Sequence, residues 1–151
     1  HLRLDPPAGL AAQVAIPNFE LPTLTARAVL PTMVDHRDAV FNQSRVGMLA
    51  AAMASGRLEL LGYAMRDLLH QPYRERLVPG LTQVLEAAMA AGSVGAALSG
   101  AGPTVLALAA HPDVARVGAR MVETWRGHGI EARCTALTMD RRGLVARREP
   151  D

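Results

Sequence analysis

The stretch Leu98-Ser99-Gly100-Ala101-Gly102-Pro103-Thr104-Val105 constrains the fold more than any other part of the chain. It separates two apolar runs, residues 94–98 and 105–110, each of a length suited to a short buried strand. Two glycines and a proline between two such strands make a sharp connection that few other residues could form. Gly100 and Gly102 can take positive φ, and their lack of side chains bares backbone N–H groups to whatever lies opposite. Two readings stay open from these residues alone. One is a tight β-turn without a ligand, and the other is a backbone nest for an anion, with phosphate the obvious candidate.

The chain before this unit is mostly helical. Extended pieces at 2–4 and 13–16, broken by Pro6-Pro7, Gly9 and Pro17, predict two strands joined by a turn. Thr23 is placed to N-cap a short helix over 24–30 that Pro31 stops. Residues 33–54 read as a long helix with Val34, Ala39, Val40, Val46, Leu49, Ala50 and Met53 on one broad face, Asp35 near its start and Gly56 past its end. A further helix is expected over 58–69, with Leu60, Leu61, Ala64, Met65 and Leu68 inward. A proline-punctuated segment, 70–80, follows it, and then a helix over 81–91.

After the glycine loop and its two strands, residues 114–128 predict an amphipathic helix with Val117, Met121, Val122 and Trp125 inward. Strands follow at 130–138 and 144–147, joined by the turn 140–143. Hairpin connections dominate this order. The expected fold is therefore α+β, a mostly antiparallel sheet with helices packed on one face.

At 151 residues the chain fits one domain, and half its residues are apolar, so a true core is within reach. No apolar run approaches the ~20 residues that cross a bilayer, and no membrane or signal segment is expected. The single cysteine, Cys134, excludes an internal disulfide and a multi-cysteine metal site, and a cytoplasmic setting fits best. All sixteen basic side chains are arginine. The absence of lysine rules out a Walker-type phosphate lysine, a Schiff base or a lysine general base from this chain. A net charge of +2 and 3% aromatics argue against a nucleic-acid surface. The chain opens at His1 on a strand-like segment, which suggests that the start of a longer protein is missing.

Three features stand apart from the core. Thr23 and Arg27, four residues apart, share one side of a helical turn. Arg74 lies in Gln71-Pro72-Tyr73-Arg74, where prolines stiffen the backbone and can aim its guanidinium. The glycine loop is the third. Two arginines converging on a carboxylate or phosphate, beside bare N–H groups, would make a site for a small anionic metabolite, although a solvated surface charge remains the plain reading of any single arginine. The four histidines after His1 (His36, His70, His111, His128) show no metal-ligand spacing. Asp35, Asp38 and Asp67 offer candidate bases without picking out a pair, and Ser99 reads as a loop hydroxyl rather than a nucleophile.

Three segments carry a family resemblance. They are Thr23-Leu-Thr-Ala-Arg27-Ala-Val-Leu-Pro31, Asp67-Leu-Leu-His-Gln-Pro-Tyr-Arg74-Glu-Arg-Leu-Val-Pro79-Gly80 and Leu98-Ser-Gly-Ala-Gly-Pro-Thr104. In this order and spacing they resemble homoserine kinases, members of the GHMP small-molecule kinases, over about residues 10–147. The SGAGP loop resembles a motif of the whole superfamily, whereas the two arginine segments are similar to homoserine kinases in particular.

The resemblance implies the C-terminal, ferredoxin-like domain of such a kinase, with residues 1–20 as strands continuing from a missing N-terminal domain and 21–151 as the domain itself. The glycine-rich ATP loop that the family carries in its N-terminal half is not in this sequence, so the chain alone is expected to be inactive. By resemblance, Arg27 and Arg74 hold the carboxylate of L-homoserine and Thr23 lines the site near the transferred phosphoryl group. Ser99, Gly100, Ala101, Gly102 and Pro103 close the site beside the phosphates. The implied cofactors are ATP and the Mg²⁺ carried with it, and the implied assembly is a homodimer. Two rivals remain: another GHMP kinase acting on mevalonate-type or sugar substrates, and a non-catalytic α+β module that binds a small anion.

Overall fold

The computed structural model describes residues 4–140. Its elements run β1 (Leu10–Pro17), α1 (Thr23–Ala28), α2 (His36–Ser55), a 3₁₀ turn (Leu58–Leu60), α3 (Leu61–Ala64), α4 (Gln71–Arg74), a 3₁₀ turn (Glu75–Leu77), α5 (Leu81–Ala90), β2 (Gly95–Leu98), β3 (Val105–Ala110), a 3₁₀ turn (His111–Asp113), α6 (Val114–Gly127) and β4 (Ala132–Leu137). The four strands form one sheet in the order β2-β3-β1-β4, and every neighbouring pair is antiparallel. This is the expected α+β architecture.

Strand alternation decides which residues face which layer. Ala11, Ala15, Val105, Ala107 and Ala109 point to one face, where Leu81, Val84 and Ala88 of α5 and Val117, Met121 and Trp125 of α6 complete the larger core. The small alanines let the two helices approach the sheet closely. Gly118 of α6 lies where an added Cβ would collide with the buried side chain of Gln13, which would have to shift to admit it. Leu10, Ala12 and Leu108 point to the other face and meet Ala52 of α2 and Leu61 of α3. The sheet thus carries a second, smaller helical layer besides the one expected.

Several local expectations are corrected. Among the described residues the N-terminal segment holds one strand, β1; residues 2 and 3 of the expected strand at 2–4 lie outside the described residues, and Leu4 is not in a strand. Thr23 is the first helical residue of α1 and not its N-cap. Pro22 occupies that position with no side-chain cap bond, its fixed φ pre-setting the helix entry. The expected helix over 58–69 is instead a 3₁₀ turn and the four-residue α3, and beyond it Asp67 binds the backbone N–H groups of Leu69, His70 and Gln71. In contrast, α2 starts and stops as its sequence signals. Asp35 accepts a hydrogen bond from Arg37 N–H at 2.7 Å, and Gly56 ends the helix in the left-handed region at φ 71°.

The apolar face of α2 is narrower than its sequence suggests. Arg45, Leu49, Ala52 and Met53, spaced i, i+4, i+7, i+8, make the inward stripe, while Val34, Val40 and Val46 are exposed. The stripe begins with an arginine because its guanidinium is stacked between the rings of Phe41, at 4.3 Å, and Tyr63, at 3.6 Å, so aromatic faces take the place of carboxylate partners. No helix among the described residues is long and apolar enough to cross a membrane. Apart from Asp140, the expected turn at 140–143 and the strand at 144–147 fall outside the described residues.

Candidate functional site

Asp67 organises the site. Its carboxylate accepts from the N–H groups of Leu69 (3.2 Å), His70 (2.7 Å) and Gln71 (2.5 Å), from the Asn42 side-chain amide (2.7 Å), and it meets His70 Nδ1 at 3.1 Å. Asn42 in turn accepts from Leu68 N–H at 2.9 Å, so α2 is pinned to this turn at two points. Four residues cannot sustain a helix unaided. The N–H groups that open α4 find their acceptor in Asp67, and Pro72, in its first turn, has no N–H to lose. Burial pushes the Asp67 carboxyl up, but the hydrogen bonds from Gln71, Asn42 and His70 outweigh it and hold the group lowered from 3.8 to about 2.

That depression fixes a pH dependence. A carboxyl with a folded value of about 2 and an ordinary value of 3.8 adds stability in full above the ordinary value, and the contribution is lost as pH falls from there through about 2. The difference in unfolding free energy between the protein and its Asp67→Asn variant should therefore be flat above pH ~4 and shrink below it, measured by urea titration at a series of pH values. A difference that stays constant down to pH ~2 would contradict this role.

From α4 two side chains, Gln71 and Arg74, reach across to the glycine loop. Gln71 Oε1 accepts from Leu98 N–H at 2.8 Å. Arg74, only 8% exposed, donates through Nη1 to the Gly100 carbonyl at 2.9 Å and through Nε to the Ala26 carbonyl of α1 at 3.2 Å. The loop closes on itself as well: Ser99 N–H donates to the Thr104 carbonyl at 2.8 Å and Gly102 N–H to the Ser99 carbonyl at 3.1 Å. Gly100 and Gly102 have φ of 60° and 87°, and at 102 a Cβ would also press on Leu98 Cδ2. The Gly102–Pro103 peptide is cis.

These elements enclose an open pocket of about 450 Å³ lined by Arg27, Asp67, His70, Gln71, Arg74, Ala97, Leu98, Gly100 and Ala101. Of the residues singled out in the sequence, Arg27, Arg74, Gly100 and Ala101 come together in its wall. Thr23, Ser99, Gly102 and Pro103 are not part of that lining; Thr23 is exposed in the first turn of α1, one turn before Arg27. Sequence reasoning left Asp67 among three candidate bases and gave Gln71 no role. The signal for Asp67 was its place four residues before Gln71-Pro72, where a short acceptor side chain can cap a turn, but its bond to Asn42, 25 residues away, has no sequence signature.

The electrostatics of the pocket are lopsided. Arg74 is nearly buried yet pairs with no carboxylate among the described residues, where its guanidinium bonds to two backbone carbonyls. Arg27 is exposed and forms neither hydrogen bond nor ion pair through its guanidinium among those residues. Asp67, the one acid in the lining, is already saturated with donors. Two guanidinium groups with unspent N–H donors in one small concavity ask for an anionic ligand, for which their planar donor geometry is suited. Among the described residues no group of three or more His, Cys, Asp or Glu side chains is placed to hold a metal ion.

Residues 49–127 match the family described as "GHMP kinases C terminal". The chain is 44% identical over 142 residues to the homoserine kinase of Synechocystis sp., covering 94% of this chain and 46% of that protein. It is 56% identical over 106 residues to that of Deinococcus radiodurans, covering 70% and 34%. It thus spans less than half the length of the curated relatives it matches. Among solved structures, the homoserine kinase of Cytophaga hutchinsonii superposes with a TM-score of 0.89 at 31% identity, over 94% of this chain and 45% of that one. The mevalonate kinase of L. major, at 18% identity and a TM-score of 0.54 over 83% and 42%, shares the fold. With more than half its residues matched by the family and the same sheet beneath them, this chain belongs to the GHMP kinases as a C-terminal domain.

Proposed function

We propose that the chain forms the amino-acid-binding side of a homoserine kinase, which transfers the γ-phosphoryl group of ATP to the hydroxyl of L-homoserine and releases O-phospho-L-homoserine and ADP. The observation that carries this reading is the nearly buried Arg74 guanidinium, which has no carboxylate partner among the described residues and shares a pocket with Arg27. A buried cation without a counter-ion is costly unless a ligand supplies one. The similarity to homoserine kinases over 94% of the chain favours the carboxylate of homoserine as that ligand.

In this reading Arg27 and Arg74 hold the carboxylate, and Thr23 lies on the side of the transferred phosphoryl group. Residues 99–103 form the wall beside the phosphates, where unspent loop N–H groups can face negative charge. Phosphoryl transfer through a loose transition state asks mainly for alignment and charge neutralisation, which guanidinium and backbone N–H groups provide without a strong base. ATP, and the Mg²⁺ it carries, would be bound largely by residues outside this chain, and the chain alone is expected to lack activity.

The test is a coupled ADP-release assay on the intact protein with L-homoserine, mevalonate and galactose as separate acceptors. Turnover with homoserine at least about a hundredfold more efficient than with galactose is expected, since galactose lacks the carboxylate whose two guanidinium contacts together amount to ~3 kcal/mol or more. Turnover with mevalonate, which has a carboxylate but no amino group, is expected to be lower than with homoserine. Preference for mevalonate or sugar would move the chain to another GHMP kinase. Tight binding of homoserine by the intact protein without ATP turnover would make it a non-catalytic anion module.

A further inference from the structure

The hydrogen bond from Leu98 N–H to Gln71 Oε1 ties the end of β2 to α4, beside the bond from Arg74 to the Gly100 carbonyl. Among the described residues β2 is an edge strand paired with β3 alone, so an N–H on its outer side has no strand there to receive it. Leu98 is the last residue of β2, and the glycine loop begins immediately after it. Gln71 and Arg74 lie three residues apart on α4, hence on one side of a single turn. They grip the backbone at Leu98 and at Gly100, one side chain accepting and the other donating. The opposite leg of the loop is tied separately, by Ser99 N–H to Thr104 O. Asp67 anchors the start of α4, so the position of the loop is referred through Gln71 to a fixed carboxylate.

We propose that Gln71 is a positioning residue: its side-chain carbonyl sets where the glycine loop stands relative to the two arginines. This deepens the homoserine kinase reading and rests on it for its kinetic consequence, though not for its structural one. Removing the acceptor frees the entry of the loop while leaving both guanidinium groups in place. The loop stands on the phosphate side in that reading, so the loss falls on turnover rather than on capture of the amino acid.

The experiment uses the intact protein with Gln71→Met, which keeps length and volume but has no comparable acceptor, and Gln71→Glu, which keeps an acceptor and loses the N–H donors. Amide hydrogen exchange at Leu98 should speed about tenfold in Gln71→Met and return to near the parent rate in Gln71→Glu, with protection of α5 and α6 unchanged in both. In the same Gln71→Met protein kcat should fall about tenfold, while the KM for homoserine changes less than about threefold. Unchanged Leu98 exchange in Gln71→Met overturns the proposal, as does a rise in homoserine KM with kcat intact, which would make Gln71 a substrate contact. If the parent protein phosphorylates no homoserine, the functional reading fails on that measurement alone, and the exchange data still decide whether Gln71 holds the loop.

Discussion

Replacing Arg74 by alanine in the intact protein should raise the KM for L-homoserine at least tenfold and lower the melting temperature as well. The first effect follows from losing a charge-assisted contact worth about 1.5–3 kcal/mol. The second follows from what Arg74 does before any ligand arrives. Its bonds to the Ala26 and Gly100 carbonyls tie α1 and the glycine loop to α4, and its removal leaves both oxygens without that donor. Arg27→Ala separates the two roles. Arg27 is exposed, and its guanidinium bonds to nothing among the described residues, so its loss should raise KM without moving the melting temperature. A homoserine KM unchanged by Arg74→Ala would sink the assignment of the pocket.

The largest loss of stability is expected at Trp125. The indole is 0% exposed in the core between α6, α5 and the sheet, and its Nε1–H donates to the Pro79 carbonyl at 3.2 Å. Truncation to alanine removes the largest fully buried side chain and opens a cavity that the small alanines of β1 and β3 cannot fill by shifting. The cost should be about 3–5 kcal/mol, the range for large aromatic truncations in cores. For a domain of this size that corresponds to a fall in melting temperature of roughly 6–20 °C. Trp125→Phe keeps much of the volume and gives up the N–H, so it should cost no more than about 2 kcal/mol. Calorimetry on the two variants checks both figures, and a drop below about 1 kcal/mol for Trp125→Ala would mean that the core collapses around the gap.

Neither effect requires the other. Trp125 lies on the sheet face packed by α5 and α6, whereas Arg74 works at the loop on the β2 edge, so the two substitutions should be nearly additive in a double variant.

What the sequence made legible follows from the range of each signal. Gly56 ends α2 and Asp35 caps it through contacts within a few residues, and the apolar runs around the glycine loop become β2 and β3 close to their expected limits. Arg27 and Arg74 could be singled out because the segments around them are distinctive. Long-range features were not legible. The helical pattern of residues 58–69 yields only a 3₁₀ turn and α3, and no periodicity announces the pinning of Asp67 by Asn42. The exposure of Val40 and Val46 is likewise a tertiary matter, set by which face of α2 meets the sheet. The role of Gln71 stayed hidden because its partner is a backbone N–H at Leu98, 27 residues further on.

The order of the strands also governs when the domain can form during synthesis. The central strand β1 is made first, yet its partners are Ala110 opposite Leu10 and Leu137 opposite Ala12, separations of 110 − 10 = 100 and 137 − 12 = 125 residues. Closing loops of that length precedes any reward from pairing, which places the domain among slow-folding topologies. Until β3 and β4 emerge, both edges of an alanine-rich, apolar strand stand open to other chains. Expression at low temperature, or with a holdase that shields residues 10–17 during elongation, should therefore raise the soluble yield more than any change made at the pocket.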